Sequence, residues 1–123
     1  MKLSFKSLNR ILLLLCTLIF TVSLSAATDR ITPDKTIINI STYETYAAIK
    51  YSSTGTFTTV SCSSSNDHTW VVIDWSTNSN NKTLFNSALA AYALGKKVGF
   101  GINDNCHPFG GGVPRVYRVD IAE

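Results

Sequence analysis

One stretch of this chain is written with the period of a helix, and nearly everything else that carries a pattern alternates with period two. Residues 83–94 set Phe85, Ala88, Leu89 and Tyr92 three and four apart, so one apolar stripe runs along a helix. Asn80, Asn81 or Thr83 can cap its start, Gly95 can take the left-handed turn at its end, and Lys96 and Lys97 suit its negative terminus. Ala88, Ala90 and Ala91 are small enough to let it lie close on a sheet. A single helix among strands restricts the chain to an α+β fold.

The strands are read from alternation. Residues 36–43 alternate Ile38 and Ile40 with Asn39 and Ser41, and residues 46–51 set Tyr46, Ala48 and Lys50 opposite Ala47, Ile49 and Tyr51, which predicts two half-buried antiparallel strands. A turn follows at 52–55, then a β pattern over 57–61 that ends on Cys62, then a polar loop at 63–67. Residues 69–75 form the strongest β segment and are expected at the sheet's centre, with Trp70, Val72 and Asp74 on one side and Val71, Ile73 and Trp75 on the other. Residues 76–81 are a loop of Ser, Thr and Asn. Past the helix, 98–102 alternates large residues with Gly99 and Gly101, a strand with one bare face on which another backbone or a subunit can pack. The last strand is expected over 115–121, where Val116, Arg118 and Asp120 alternate with Tyr117, Val119 and Ile121. Order is expected to begin near Thr36, because 27–35 is polar and carries Pro33.

Residues 1–27 read as a cleaved export signal, leaving 28–123 as a single domain. Lys2, Lys6 and Arg10 precede an apolar run over 11–22, and Ser25, Ala26 and Ala27 supply the small residues of a cleavage site. The run of about 12 residues is short of the roughly 20 that span a bilayer, so no membrane anchor is expected. Leu15 before Cys16 is not the small residue that lipidation requires, so Cys16 is expected to leave with the signal. The formal net charge of +3 also resides there: of 11 Lys and Arg, three are in the signal, and the rest balance the 8 Asp and Glu. A mature domain near neutrality has no general pull on phosphate backbones or anionic lipid, so neither nucleic-acid nor membrane-surface binding is expected. The expected location is secreted or periplasmic.

Two cysteines remain, Cys62 and Cys106, and in an oxidising compartment an even pair is read as a disulfide. Closing a loop of about 44 residues restricts the unfolded chain by about 4 kcal/mol. Cys62 with His68 and Cys106 with His107 could be arranged as a zinc site, but six residues separate the first pair and the second pair is adjacent, unlike the tight spacings zinc uses. No metal and no cofactor is expected.

The hairpin strand 46–51, the Ser61-Cys62-Ser63 turn followed by Trp70, and the stretch from Thr83-Leu84-Phe85-Asn86 through Ala88-Leu89 to Tyr92, Gly95 and Val98 carry a resemblance over residues 36–102. In these the chain resembles the pentamer-forming B subunits of subtilase cytotoxin and pertussis-like toxins. The resemblance implies a small OB-like antiparallel β-barrel or sheet with one packed helix, a ring-shaped homo-oligomer, an enzymatic partner subunit, and binding of host glycans, often sialylated. Where those subunits pair the cysteine before the Trp with one on the preceding strand, this chain has Ala48 and Ile49. Their sugar-contacting serine and tyrosine fall near Thr32 and Pro33 and near Ile102, so no glycan-binding residue carries over.

Candidate ligand contacts therefore come from residue type. Tyr43 and Tyr46, near a hairpin, offer faces that stack on pyranose rings, and a loop over 103–114 carries Asp104, His107, Phe109 and three glycines at 110–112. Those glycines are followed by no Lys-Ser/Thr and open no helix, so they are not a phosphate loop. Asp67 and His68 lie near Ser63 to Ser65, yet no G-x-S-x-G elbow is present and no enzyme is expected. The expected function is a secreted, non-enzymatic, toxin-B-subunit-like binding protein for glycans, or else a small periplasmic structural or protein-interaction module.

Overall fold

The computed structural model describes residues 28–52, 61–62 and 69–123. The signal segment, the β pattern at 57–60 and the polar loop at 63–67 lie outside them. Six strands are present among the described residues: β1 (Thr28–Lys35), β2 (Ile37–Thr42), β3 (Tyr46–Tyr51), β4 (Trp70–Asp74), β5 (Val98–His107) and β6 (Val113–Ile121). Helix α1 (Asn81–Ala93) joins β4 to β5, and a 3-10 turn at Phe109–Gly111 joins β5 to β6. They form one sheet in the order β1-β5-β6-β4-β3-β2. This is the expected α+β architecture with one packed helix. Two details differ from expectation. The sheet is mixed rather than wholly antiparallel, because β4 runs parallel to β6, and it is not closed into a barrel, its two ends being β1 and β2.

The segment expected to precede the fold is its first strand. β1 pairs antiparallel with β5, and Ile31 is buried in the core. Gly99 makes this close approach feasible: a Cβ there would lie 2.6 Å from the Ile31 carbonyl oxygen and 2.8 Å from the Pro33 nitrogen. The bare face anticipated at Gly99 is thus filled by the backbone of β1, and Pro33 falls where the register shifts between Ile31 and Lys35, so its missing N–H costs no ladder bond. The bare face at Gly101 is filled by the Tyr117 ring.

Other phase errors have the same origin, shifts of register that period-two reading cannot see. In β2 the shift between Ile37 and Asn39 buries Ile37 and leaves Ile38 54% exposed. In β6, Ile102 faces Val116 while Gly101 faces Arg118, so Tyr117 bulges outward and both Val116 and Val119 pack on the core. β5 runs on through His107, replacing most of the expected loop at 103–114.

The helix starts two residues earlier than expected and buries a rotated stripe. Ala88 and Ala91 touch the sheet and Leu84 and Phe85 reach the core from the flank, while Leu89 and Tyr92 are exposed. The sheet surface under α1 is already filled by Tyr51, Phe100 and Ile73, so the positions of closest approach take the smallest side chains. Gly95, at φ +66°, ends the helix, with the Lys96 amide donating to the Ala91 carbonyl. Asn80 occupies the N-cap position but makes no side-chain cap bond. Cys62 and Cys106 are bonded, with 5.4 Å between their Cα atoms. Among the described residues no helix is long and apolar enough to cross a membrane.

Candidate functional site

The face of the sheet away from α1 divides into two regions. Because Tyr46 pairs with Asp74, Ala48 with Val72 and Lys50 with Trp70, these six residues share that face. Ala48, Val72 and Val113 form a small buried cluster, over which Tyr46, Trp70 and Phe109 pack. The Tyr43 and Tyr46 rings stack with centroids 4.4 Å apart and planes 13° from parallel. The His107 imidazole lies 4.3 Å from the Tyr46 ring, and Phe109 lies 5.4 Å from Trp70. The Lys50 ammonium sits 5.7 Å over the Trp70 ring. Three sequence-predicted site residues, Tyr43, Tyr46 and His107, therefore meet in one aromatic cap. Asp104 joins neither its ring contacts nor an ion pair among the described residues.

Asp74 is the junction between this cap and the second region. Asp74 is 6% exposed. One carboxylate oxygen accepts from the Ser76 amide at 2.8 Å and the other from Arg115 Nε at 3.0 Å. Burial works to raise its pKa, but the Ser76 hydrogen bonds and the Arg115 guanidinium outweigh it and hold the group below its ordinary 3.8. His107 Nε2 is 3.9 Å from the same carboxylate, and Nδ1 accepts from the Phe109 amide at 3.1 Å, which requires the neutral ring. Burial, then the charge of Arg115, lower the His107 pKa from 6.5 against the opposing pull of Asp74.

The second region is a cleft of about 450 Å³ between the loop that leads into α1 and the outer halves of β5 and β6. The loop supplies Thr77 and Asn78 and the helix start supplies Asn81; the strands supply Asn103, Asn105, Arg115 and Tyr117. Its volume lies within the roughly 300–1,000 Å³ of small-molecule sites. The side-chain bonding is one-sided. Asn78 Oδ1 accepts from the Asn80 amide, Asn103 Oδ1 from the Asn105 amide, and Asn105 Oδ1 from Arg115 Nη1. Arg115 Nη1 also donates to the Asn105 and Cys106 carbonyls at 2.9 and 3.0 Å. This leaves the Nδ2 groups of three asparagines and Arg115 Nη2 with no protein acceptor among the described residues. Asn81 differs, its Nδ2 donating to the Asp74 carbonyl at 2.7 Å.

None of Tyr43, Tyr46, Asp104 or His107 lines this cleft. The signal that could have found it was present in the asparagine clusters at 78–81 and 103–105, which residue type alone assigns to loops. Searched against family models, curated proteins and solved structures, the chain gives no match. Among the described residues no three His, Cys, Asp or Glu side chains gather as a metal site.

Proposed function

We propose that this is an exported, non-enzymatic protein that binds glycans in the cleft bounded by Asn78, Asn105 and Tyr117. The observation that carries the reading is the cleft's chemistry: amide and guanidinium donors left without protein partners stand beside an exposed aromatic ring. Sugars present dense hydroxyl and carbonyl acceptors around apolar C–H faces, and a wall of donors with one ring matches both. The export part rests on residues 1–27 and on the Cys62–Cys106 bond, which suits an oxidising compartment. An OB-like relationship is supported by β1 and β2, the two ends of the sheet, being consecutive pieces of chain separated by Thr36 alone, and by the parallel β4–β6 pair that follows three antiparallel strands. A glycan array probed with the oxidised domain 28–123, beside Tyr117→Ala, tests the function. Specific binding that the variant loses is expected; an array blank for both proteins overturns it.

A second reading, a protein-interaction module, is favoured by the C-terminal end of α1, where Leu89 and Tyr92 of the helix and Leu94 just after it are exposed with no charged residue between them. Light scattering tests it: an assembled species that Leu89→Lys dissociates supports a contact through α1, and a clean monomer removes it.

A further inference from the structure

We infer that the ligand of the cleft is an uncharged sugar bearing an N-acyl group, of the N-acetylhexosamine class, rather than an acidic sugar. The inference rests on the cleft being a glycan site and specifies its substrate class. The charges lining the cleft cancel: the Asp74 carboxylate holds Arg115 Nε at 3.0 Å, and both carboxylate oxygens are already hydrogen-bonded. Arg115 is further engaged through Nη1 with the Asn105 side chain and with the Asn105 and Cys106 carbonyls. A ligand carboxylate entering here would shed its water for neutral amides and for a guanidinium already shared with a carboxylate, so its charge would go largely uncompensated.

The donors that are free suit a neutral acceptor instead. Asn78, Asn103 and Asn105 each commit their amide oxygen to the protein, and their Nδ2 groups have no acceptor among the described residues. An acyl carbonyl is a strong uncharged acceptor for such groups, more so than a hydroxyl, which must also place its own proton. The acyl methyl then needs an apolar contact, and the exposed Tyr117 ring supplies one. Tyr117 is available because the bulge in β6 turns it out of the core, and Gly101 lets its ring approach β5 closely. A plain hexose would lay a C–H face on the Tyr117 ring but offer the amide donors hydroxyls in place of a carbonyl, and sites with polar groups left poorly paired discriminate strongly.

The test is calorimetric titration of the oxidised domain 28–123 with matched probes: chitobiose against cellobiose, N-acetyllactosamine against lactose, and N-acetyllactosamine against its sialylated form. The expected result is that each N-acylated neutral probe binds about tenfold or more tighter than its hydroxyl counterpart, and that sialylation brings no gain. Asn78→Asp and Asn105→Asp keep the oxygens that accept from the Asn80 amide and from Arg115, and convert the free donors to acceptors. Each is expected to weaken chitobiose binding about tenfold with the thermal midpoint little changed. Tighter binding of the sialylated probe, or equal binding of chitobiose and cellobiose, overturns the substrate class while leaving a glycan site in place. No binding of any probe, with an array blank as well, removes the glycan reading and this inference with it.

Discussion

The aromatic cap and the polar cleft sit side by side on one face of the sheet, share Asp74, and differ in what their groups have left to give. In the cap the side chains are spent on each other: Tyr46 contacts Tyr43 and His107, Phe109 contacts Trp70, and Tyr46, Trp70 and Phe109 cover the small residues Ala48 and Val72. In the cleft Asn78, Asn103 and Asn105 are held by one end only, their amide oxygens fixed by protein donors and their Nδ2 groups facing no acceptor among the described residues. Ring content alone favours the cap as a sugar platform. Bonding capacity favours the cleft, because recognition needs groups whose partners are still to come.

The largest expected effect comes from removing the Cys62–Cys106 bond, by reduction or by the double Cys→Ser variant. Opening that loop should cost about 4 kcal/mol in urea unfolding. It should also weaken cleft binding more than it perturbs the cap, since Cys106 and its neighbour Asn105 supply the carbonyls that hold Arg115. Next comes Trp70→Ala, which uncovers Val72 and Ala48 and should cost about 3 kcal/mol in the same assay. If the two regions are distinct in role, that variant keeps its affinity for chitobiose at temperatures where it is folded; a parallel loss of affinity would merge them.

A smaller and more selective change is Gly101→Ala. Its Cβ would lie 2.7 Å from the Tyr117 ring, and a side-chain tip can move where backbone cannot. We expect about 1 kcal/mol of destabilisation together with loss of chitobiose binding, read by titration, because the cleft's ring is displaced. Gly99→Ala is the control in the other direction. Its Cβ would meet the backbone of Ile31 and Pro33, so stability rather than binding should suffer first.

The smallest effect is in pH dependence. The folded His107 has a pKa below 6.5, so as pH falls through 6.5 the unfolded chain takes up its proton first. Its contribution to stability is complete above 6.5 and is lost as pH drops toward the lower folded value, with a slope of at most about 1.4 kcal/mol per pH unit. Asp74, also lowered, contributes stability that is lost only as pH falls below 3.8. His107→Asn keeps an acceptor for the Phe109 amide and should flatten the stability profile between pH 7 and 5 while leaving the acid limb in place. An unchanged slope in that variant would assign the pH dependence elsewhere.

These contrasts also explain what the sequence made legible. The central strand and its two faces followed from the alternation of Trp70 to Trp75, and the disulfide followed from there being one available pairing. The helix was legible from its period, but not which side it buries. That was decided by the bulk of Tyr51 and Phe100 beneath it, which drew in Ala88 and Ala91 and left Leu89 and Tyr92 outside. β1 was missed because its burial depends on Gly99 of a strand about 65 residues away, and Pro33 argued locally against a strand. The meeting of Tyr43, Tyr46 and His107 was foreshadowed only as a list of aromatic and loop residues. The cleft was not foreshadowed at all, since an asparagine that holds a loop and one that offers a donor look alike until its oxygen's partner is known.

A nuclear magnetic resonance titration of the oxidised domain with chitobiose, following side-chain amides and ring protons together, separates the cleft from the cap as the binding surface. Binding in the cleft moves the amide resonances of Asn78, Asn103 and Asn105 and the ring of Tyr117 in a saturable way, while those of Tyr43, Tyr46 and Trp70 stay in place. Saturable shifts confined to Tyr43, Tyr46 and Trp70, with the cleft amides unmoved, would contradict it and return the binding surface to the aromatic cap.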